Sequence, residues 1–119
     1  MITQTNTHRI EPGITVMEIS GRLNLGNTLI SVEDAIRKLI KDGARKLVLD
    51  LKDLTYIDSS GIGLIVMCSG EMGQAGGHMR VAGAKGVVAR AFDVVRLSLV
   101  VPQDADLETA RTALSASGG

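Results

Sequence analysis

The chain has 119 residues, 45% of them apolar and 22% charged, enough for one buried core and against a disordered tail as its default state. Thirteen basic and thirteen acidic residues cancel, so no net field draws the chain toward phosphate backbones or anionic lipid, and no nucleic-acid partner is expected. With one Phe, one Tyr and no Trp, the core must be aliphatic, and stacking platforms for single-stranded bases are not expected.

A lone cysteine, Cys68, has no partner for an internal disulfide, which suits a reducing cytoplasm. The stretch Met1–Thr7 is polar and reads as no secretory signal. No apolar run approaches the roughly 20 residues that span a bilayer, so no membrane insertion is expected. His8, His78 and Cys68 lack metal-ligand spacing. Neither a P-loop nor a dinucleotide fingerprint occurs, so no cofactor is expected.

In chain order, Pro12-Gly13 marks a hairpin turn. Thr7–Glu11 before it reads as an edge strand. Ile14–Ser20 after it carries apolar residues at both parities, the pattern of a strand buried on both faces. Gly21–Leu25 is expected to turn into a helix, with Asn24 or Thr28 as N-cap. Leu25, Leu29, Val32, Ile36, Leu39 and Ile40 form its apolar stripe. Gly43 should end that helix, and Lys41 complements its dipole. Lys46–Leu51, with continuous Leu47-Val48-Leu49, predicts the central strand. A short loop then leads to a second helix from Ser59 or Ser60 to about Gln74, ended by Gly76-Gly77.

Met79–Ala82 predicts another short strand. Val87, Val88, Ala91, Phe92 and Val95 place an apolar face on a third helix. Leu99–Val101 reads as the last strand, stopped by Pro102. Asp104 is the expected cap of a fourth helix bearing Leu107, Ala110 and Leu114, and Ser115–Gly119 is expected to be loose. Lys52 and Asp53 read as a solvated loop pair. Strands alternating with helices imply one α/β domain with a mixed sheet of four or five strands and about four helices.

The segment Ile57-Asp58-Ser59-Ser60-Gly61-Ile62-Gly63 holds the most chemistry. Backbone N–H groups at a helix start are unsatisfied and carry partial positive charge. A hydroxyl there can cap the helix, bind an anion or accept a phosphoryl group. Asp58, Ser59 and Ser60 are all preferred cap residues, so capping alone is one reading. Gly61, Gly63, Gly70 and Gly73 share this helix, each costing about 0.8–1 kcal/mol relative to Ala. Either close helix–sheet packing or a smooth face for a partner accounts for them. A serine hydrolase is not expected, because Ser59 lies outside any G-x-S-x-G and the only histidines, His8 and His78, read as ordinary surface residues rather than a base for it.

Leu49-Asp50-Leu51 followed by Leu54-Thr55-Tyr56-Ile57-Asp58-Ser59-Ser60-Gly61-Ile62-Gly63 resembles the core motif of STAS domains, and among them the bacterial anti-sigma factor antagonists. Gly21-Arg22-Leu23-Asn24 is similar to the family's Gly-x-Leu-Asp. Gly76-Gly77-His78-Met79-Arg80-Val81 and Phe92-Asp93-Val94 also resemble family segments. The resemblance implies a STAS domain at residues 7–116, with 1–6 and 117–119 as flexible tails.

It also implies a binding switch rather than an enzyme. The unmodified form holds an anti-sigma factor with serine kinase activity and so frees a sigma factor. That kinase modifies the serine after the motif's acid, here Ser59, and a metal-dependent serine phosphatase reverses it. The implied partner-binding positions are Asn24, Asp58, Ser59, Ser60, Gly61 and Gly63. Asn24 departs from the family's acid. The alternative keeps the fold without the switch, as a non-phosphorylated scaffold subunit of a stress-signalling or lipid-transport complex.

Overall fold

A computed structural model describes residues 3–116. It contains, in order, β1 (Gln4–Ile10), β2 (Ile14–Leu23), α1 (Asn27–Lys41), β3 (Lys46–Asp50), β4 (Leu54–Ile57) and α2 (Ser59–Gln74). Then follow β5 (His78–Ala82), α3 (Gly86–Val94), a 3-10 turn (Leu97–Leu99), β6 (Gln103–Asp104) and α4 (Leu107–Ala116). The sheet order is β1-β2-β3-β5-β6. β1 is antiparallel to β2, and the other neighbours run parallel.

Burial on both faces explains the continuous apolar runs. Ile14, Val16 and Val48 pack with Ala110 and Leu114 of α4 on one side. Met17, Ile19, Leu47 and Leu49 belong to the larger core on the other, with Val32 and Ile36 of α1 and Ile65, Cys68 and Met72 of α2. β3 is the middle strand, and Leu47, Val48 and Leu49 are fully buried. Burial pushes the Cys68 thiol up to about 12, so it stays protonated as a small apolar filler.

The ends of α1 follow its sequence at one terminus only. Gly43 takes a left-handed conformation. Its N–H donates to Ile40 O while Ala44 N–H donates to Leu39 O, the paired bonds of a Schellman ending. At the start, the backbone of Gly26 precedes the helix with no side-chain cap, so neither Asn24 nor Thr28 serves. β2 also does not turn at Gly21. It shifts register between Gly21 and Arg22 and continues to Leu23, pairing in parallel with β4. Leu25 therefore lies outside α1 and is 76% exposed.

Other boundaries differ for identifiable reasons. β1 begins at Gln4 because Gln4, Thr5 and Asn6 pair with Ser20, Ile19 and Glu18, so residues 4–6 are strand rather than tail. Residues 117–119 lie outside those described, while Ser115 and Ala116 complete α4. β4 is a sixth strand where a loop was expected. Leu99–Val101 is not a strand: Val100 and Val101 N–H both donate to Leu97 O, closing the 3-10 turn, and the last strand is Gln103–Asp104. Asp104 forms a two-bond ion pair with Arg80, at 2.7 and 3.1 Å, that ties β6 to β5. Asp106 caps α4 instead, accepting from Thr109 N–H at 2.8 Å. Val87 and Val95 are exposed, leaving Val88 and Phe92 as the buried face of α3. Lys52 pairs with Glu18 at 2.9 Å and with buried Asp50 at 3.5 Å, not with Asp53.

Replacing Leu49 with Ala should lower unfolding free energy by about 2–5 kcal/mol, since its full burial leaves a cavity. Urea titration checks this, and an unchanged denaturant slope is expected alongside the lower midpoint.

Candidate functional site at the start of the second helix

The site forms where two parallel strands end side by side. Leu23 of β2 lies opposite Ile57 of β4, and Asp58 N–H donates to Leu23 O at 3.3 Å. Asp58 itself is extended, with φ −110° and ψ −177°, and is the N-cap of α2. Its Oδ1 accepts from Gly61 N–H at 2.9 Å, and its Oδ2 accepts from Leu25 N–H at 3.1 Å. One carboxylate thus caps the helix and pins the segment leaving β2. Burial raises the Asp58 pKa, yet bonds from the backbone N–H groups of Gly61, Leu25 and Ser60 outweigh it and hold the group below its ordinary value.

Ser59 is the first residue of α2 and is exposed, while Ser60 behind it is half-buried. Among the described residues, the Ser59 hydroxyl makes no hydrogen bond. Asn24, half-buried, sits between Leu23 and Leu25 on the pinned segment. The structure thus brings together Asn24, Asp58, Ser59 and Ser60.

The glycines divide. A Cβ on Gly61 would lie 2.5 Å from Leu23 O and 2.7 Å from Ile57 Cγ1, so Gly61 faces the sheet and not a partner. Gly63, Gly70 and Gly73 would meet nothing within 4 Å. Ser59, Gly63, Met67 and Gly70 follow at spacings of four, four and three on the exposed side of α2.

Sequence reasoning passed over Arg22, whose guanidinium stacks 4.2 Å above the Tyr56 ring. Those two residues pair across β2 and β4. The missed β4 hid this contact, although the lone Tyr beside the motif was its available signal. No group of acids, histidines or cysteine among the described residues is arranged to hold a metal ion.

A family model for the STAS domain matches residues 7–110. The chain belongs to the STAS-domain family. An anti-sigma-B factor antagonist of Staphylococcus aureus is 25% identical over 81 residues, covering 68% of this chain and 74% of that protein. An anti-sigma factor antagonist from Mycobacterium paratuberculosis has the same fold, with a TM-score of 0.84, 23% identity and coverage of 96% and 95%. So does the Bacillus cell fate determinant SpoIIAA in its phosphorylated form, with a TM-score of 0.71, 20% identity and coverage of 92% and 98%. No helix of this STAS domain is long and apolar enough, among the described residues, to cross a membrane.

Two stability predictions follow the geometry. Gly61→Ala should destabilise the fold by about 1–3 kcal/mol through overpacking, whereas Gly63→Ala should stabilise it by up to about 0.8–1 kcal/mol through helix propensity. Thermal and urea unfolding of both variants tests the division. Asp58→Ala should cost about 0.5–2 kcal/mol as a lost cap. Because the folded-state pKa of Asp58 is depressed, its contribution is complete above the unfolded carboxylate range and is lost as pH falls through the folded value. The gap between wild type and variant should therefore close on acidification.

Proposed function

We propose that this chain is an anti-sigma factor antagonist whose binding is switched off by phosphorylation of Ser59. The observation that carries this reading is an exposed serine at the first residue of α2, next to the Asp58 cap, whose hydroxyl makes no hydrogen bond among the described residues. The relatives' shared role as antagonists supports it, as does the phosphorylated form of a protein with this fold. The partner is an anti-sigma factor with serine kinase activity, met in the cytoplasm and contacted by Asn24, Asp58, Ser59, Ser60 and Gly63. Gly61 shapes that surface from behind, by letting α2 approach the sheet.

The chemistry asks little of the chain. Ser59 Oγ attacks the γ-phosphorus of ATP held by the partner. The new O–P bond forms as the bond to the ADP leaving oxygen breaks, and the serine proton passes to a base on the partner. Asp58 is a poor base here, since both its oxygens accept backbone N–H groups and its pKa is depressed. The chain needs no cofactor and is not itself an enzyme. A metal-dependent serine phosphatase restores the hydroxyl with water.

A phosphoserine adds about −1.5 to −2 charges. The helix start tolerates that charge, but the Asp58 carboxylate beside it repels it and a close interface must desolvate it. A differential cost of about 2–3 kcal/mol weakens binding roughly 30- to 150-fold, enough for a switch without unfolding.

Phosphoryl transfer from labelled ATP by the cognate kinase tests the assignment. Wild type and Ser60→Ala should label, and Ser59→Ala should not while still binding the partner. Ser59→Asp should bind at least about tenfold more weakly, although one carboxylate only partly imitates phosphate. Equal labelling of wild type and Ser59→Ala would overturn the residue assignment. No labelling together with unimpaired Ser59→Asp binding would leave a helix cap in an unswitched scaffold.

A further inference from the structure

The solvent faces of the helices are not alike. On α1, Arg37 pairs with Glu33 and with Glu71 of α2, and Lys38 pairs with Asp42. On α4, Arg111 pairs with Glu108. α3 and the 3-10 turn instead expose aliphatic side chains among unpaired charges. Val94 and Leu99 are each 78% exposed and Val100 is 60% exposed, with Val95 exposed between them. Val87, one heptad before Val94, extends the surface along the same side of α3.

The segment is held in place from beneath. Val88, Phe92 and Leu97 are buried in the main core, and the chain reverses at Arg96, the one described non-glycine residue with positive φ, at 54°. Five exposed aliphatic side chains between Val87 and Val100, on a segment fixed from beneath, are the observation from which an interaction surface is argued.

The charges carried by this segment select the occupant. Between Lys85 and Val100 the sequence carries Lys85, Arg90 and Arg96 against a single acid, Asp93. None of these three cations enters an ion pair among the described residues, in contrast to the paired faces of α1 and α4. Arg90 lies between Val87 and Val94 at helical spacing, so the positive charge is set within the apolar stripe. From Val87 to Val94 the stripe runs about 10 Å, roughly two helical turns. We propose that this face docks an acidic amphipathic helix of a partner protein, its apolar residues covering Val94 and Leu99 and its carboxylates meeting Arg90 and Lys85. This face is carried by α3 and the 3-10 turn rather than by α2.

The full chain should be titrated into labelled Leu/Glu and Leu/Lys amphipathic helical peptides, with binding read by fluorescence anisotropy. The acidic peptide should bind with Kd of about 10–100 μM, weakening as salt is raised, and the basic peptide at least about tenfold more weakly. Val94→Ser with Leu99→Ser should lose about tenfold or more in affinity for the acidic peptide at an unchanged thermal midpoint. Arg90→Glu with Lys85→Glu should reverse the preference between the two peptides. Absence of acidic-peptide binding at about 1 mM, or equal binding of both peptides, overturns the proposal. Two other results would assign the face to a different occupant and so also overturn it. One is co-sedimentation with phosphatidylglycerol vesicles that the serine variant abolishes. The other is a dimer, seen by sedimentation velocity, that the same variant dissociates.

Discussion

The Asp58 carboxylate joins two parts of the chain that are 33 residues apart in sequence, by accepting Leu25 N–H on one oxygen and Gly61 N–H on the other. Each bond alone would be ordinary. Together they make the end of β2 and the start of α2 a single unit, with the exposed Ser59 next to the bridging carboxylate. Without the cap, the first turn of α2 would carry one more orphan donor and Leu25 N–H would lose its acceptor. Both carboxylate oxygens accept backbone N–H groups, and those bonds hold the Asp58 pKa below its ordinary value beside the exposed serine.

That arrangement requires β2 and β4 to end together, and a change of register supplies it. The first half of β2 pairs with β3 at Thr15–Glu18 and its end pairs with β4 from Gly21 onward, where a register shift between Gly21 and Arg22 skips Thr55 and so brings Leu23 opposite Ile57. Thr55 Oγ1 donates to Gly21 O at 2.9 Å, which fixes the crossover. Gly61 then lets α2 lie close on that pair of strands, while Gly63 and Gly70 keep the opposite side of the helix smooth. The four helix glycines therefore serve two different ends, packing at one position and openness at the others.

Much of this was legible in the residues. The buried run Leu47–Leu49, the Gly43 ending of α1 and the span of α2 follow from hydrophobic pattern and local caps, which act over a few residues. The misreadings share a cause: tertiary pairing outweighed local propensity. Asn24 is a good cap residue, but strand pairing carries β2 past Gly21 and moves the helix start to Asn27. Asp104 could cap α4, but Arg80 on the neighbouring strand takes both its oxygens. Leu54–Ile57 is only four residues long, and its status as a strand depends on β2, 30 or so positions away. At the site, the motif placed Ser59 correctly at the helix start. It could not separate Gly61 from Gly63, since which glycine meets Leu23 O is set by how α2 rests on the sheet.

The central claim is that Asp58 holds both sides of the site at once, and amide hydrogen exchange followed by NMR tests it most directly. In Asp58→Ala, the Leu25 and Gly61 amides should lose protection together, while Leu47, Val48 and Leu49 retain that of the wild type, because local opening at the site is separable from global unfolding. Unchanged protection of Leu25 in that variant, with Gly61 alone affected, would contradict the account and reduce Asp58 to a helix cap.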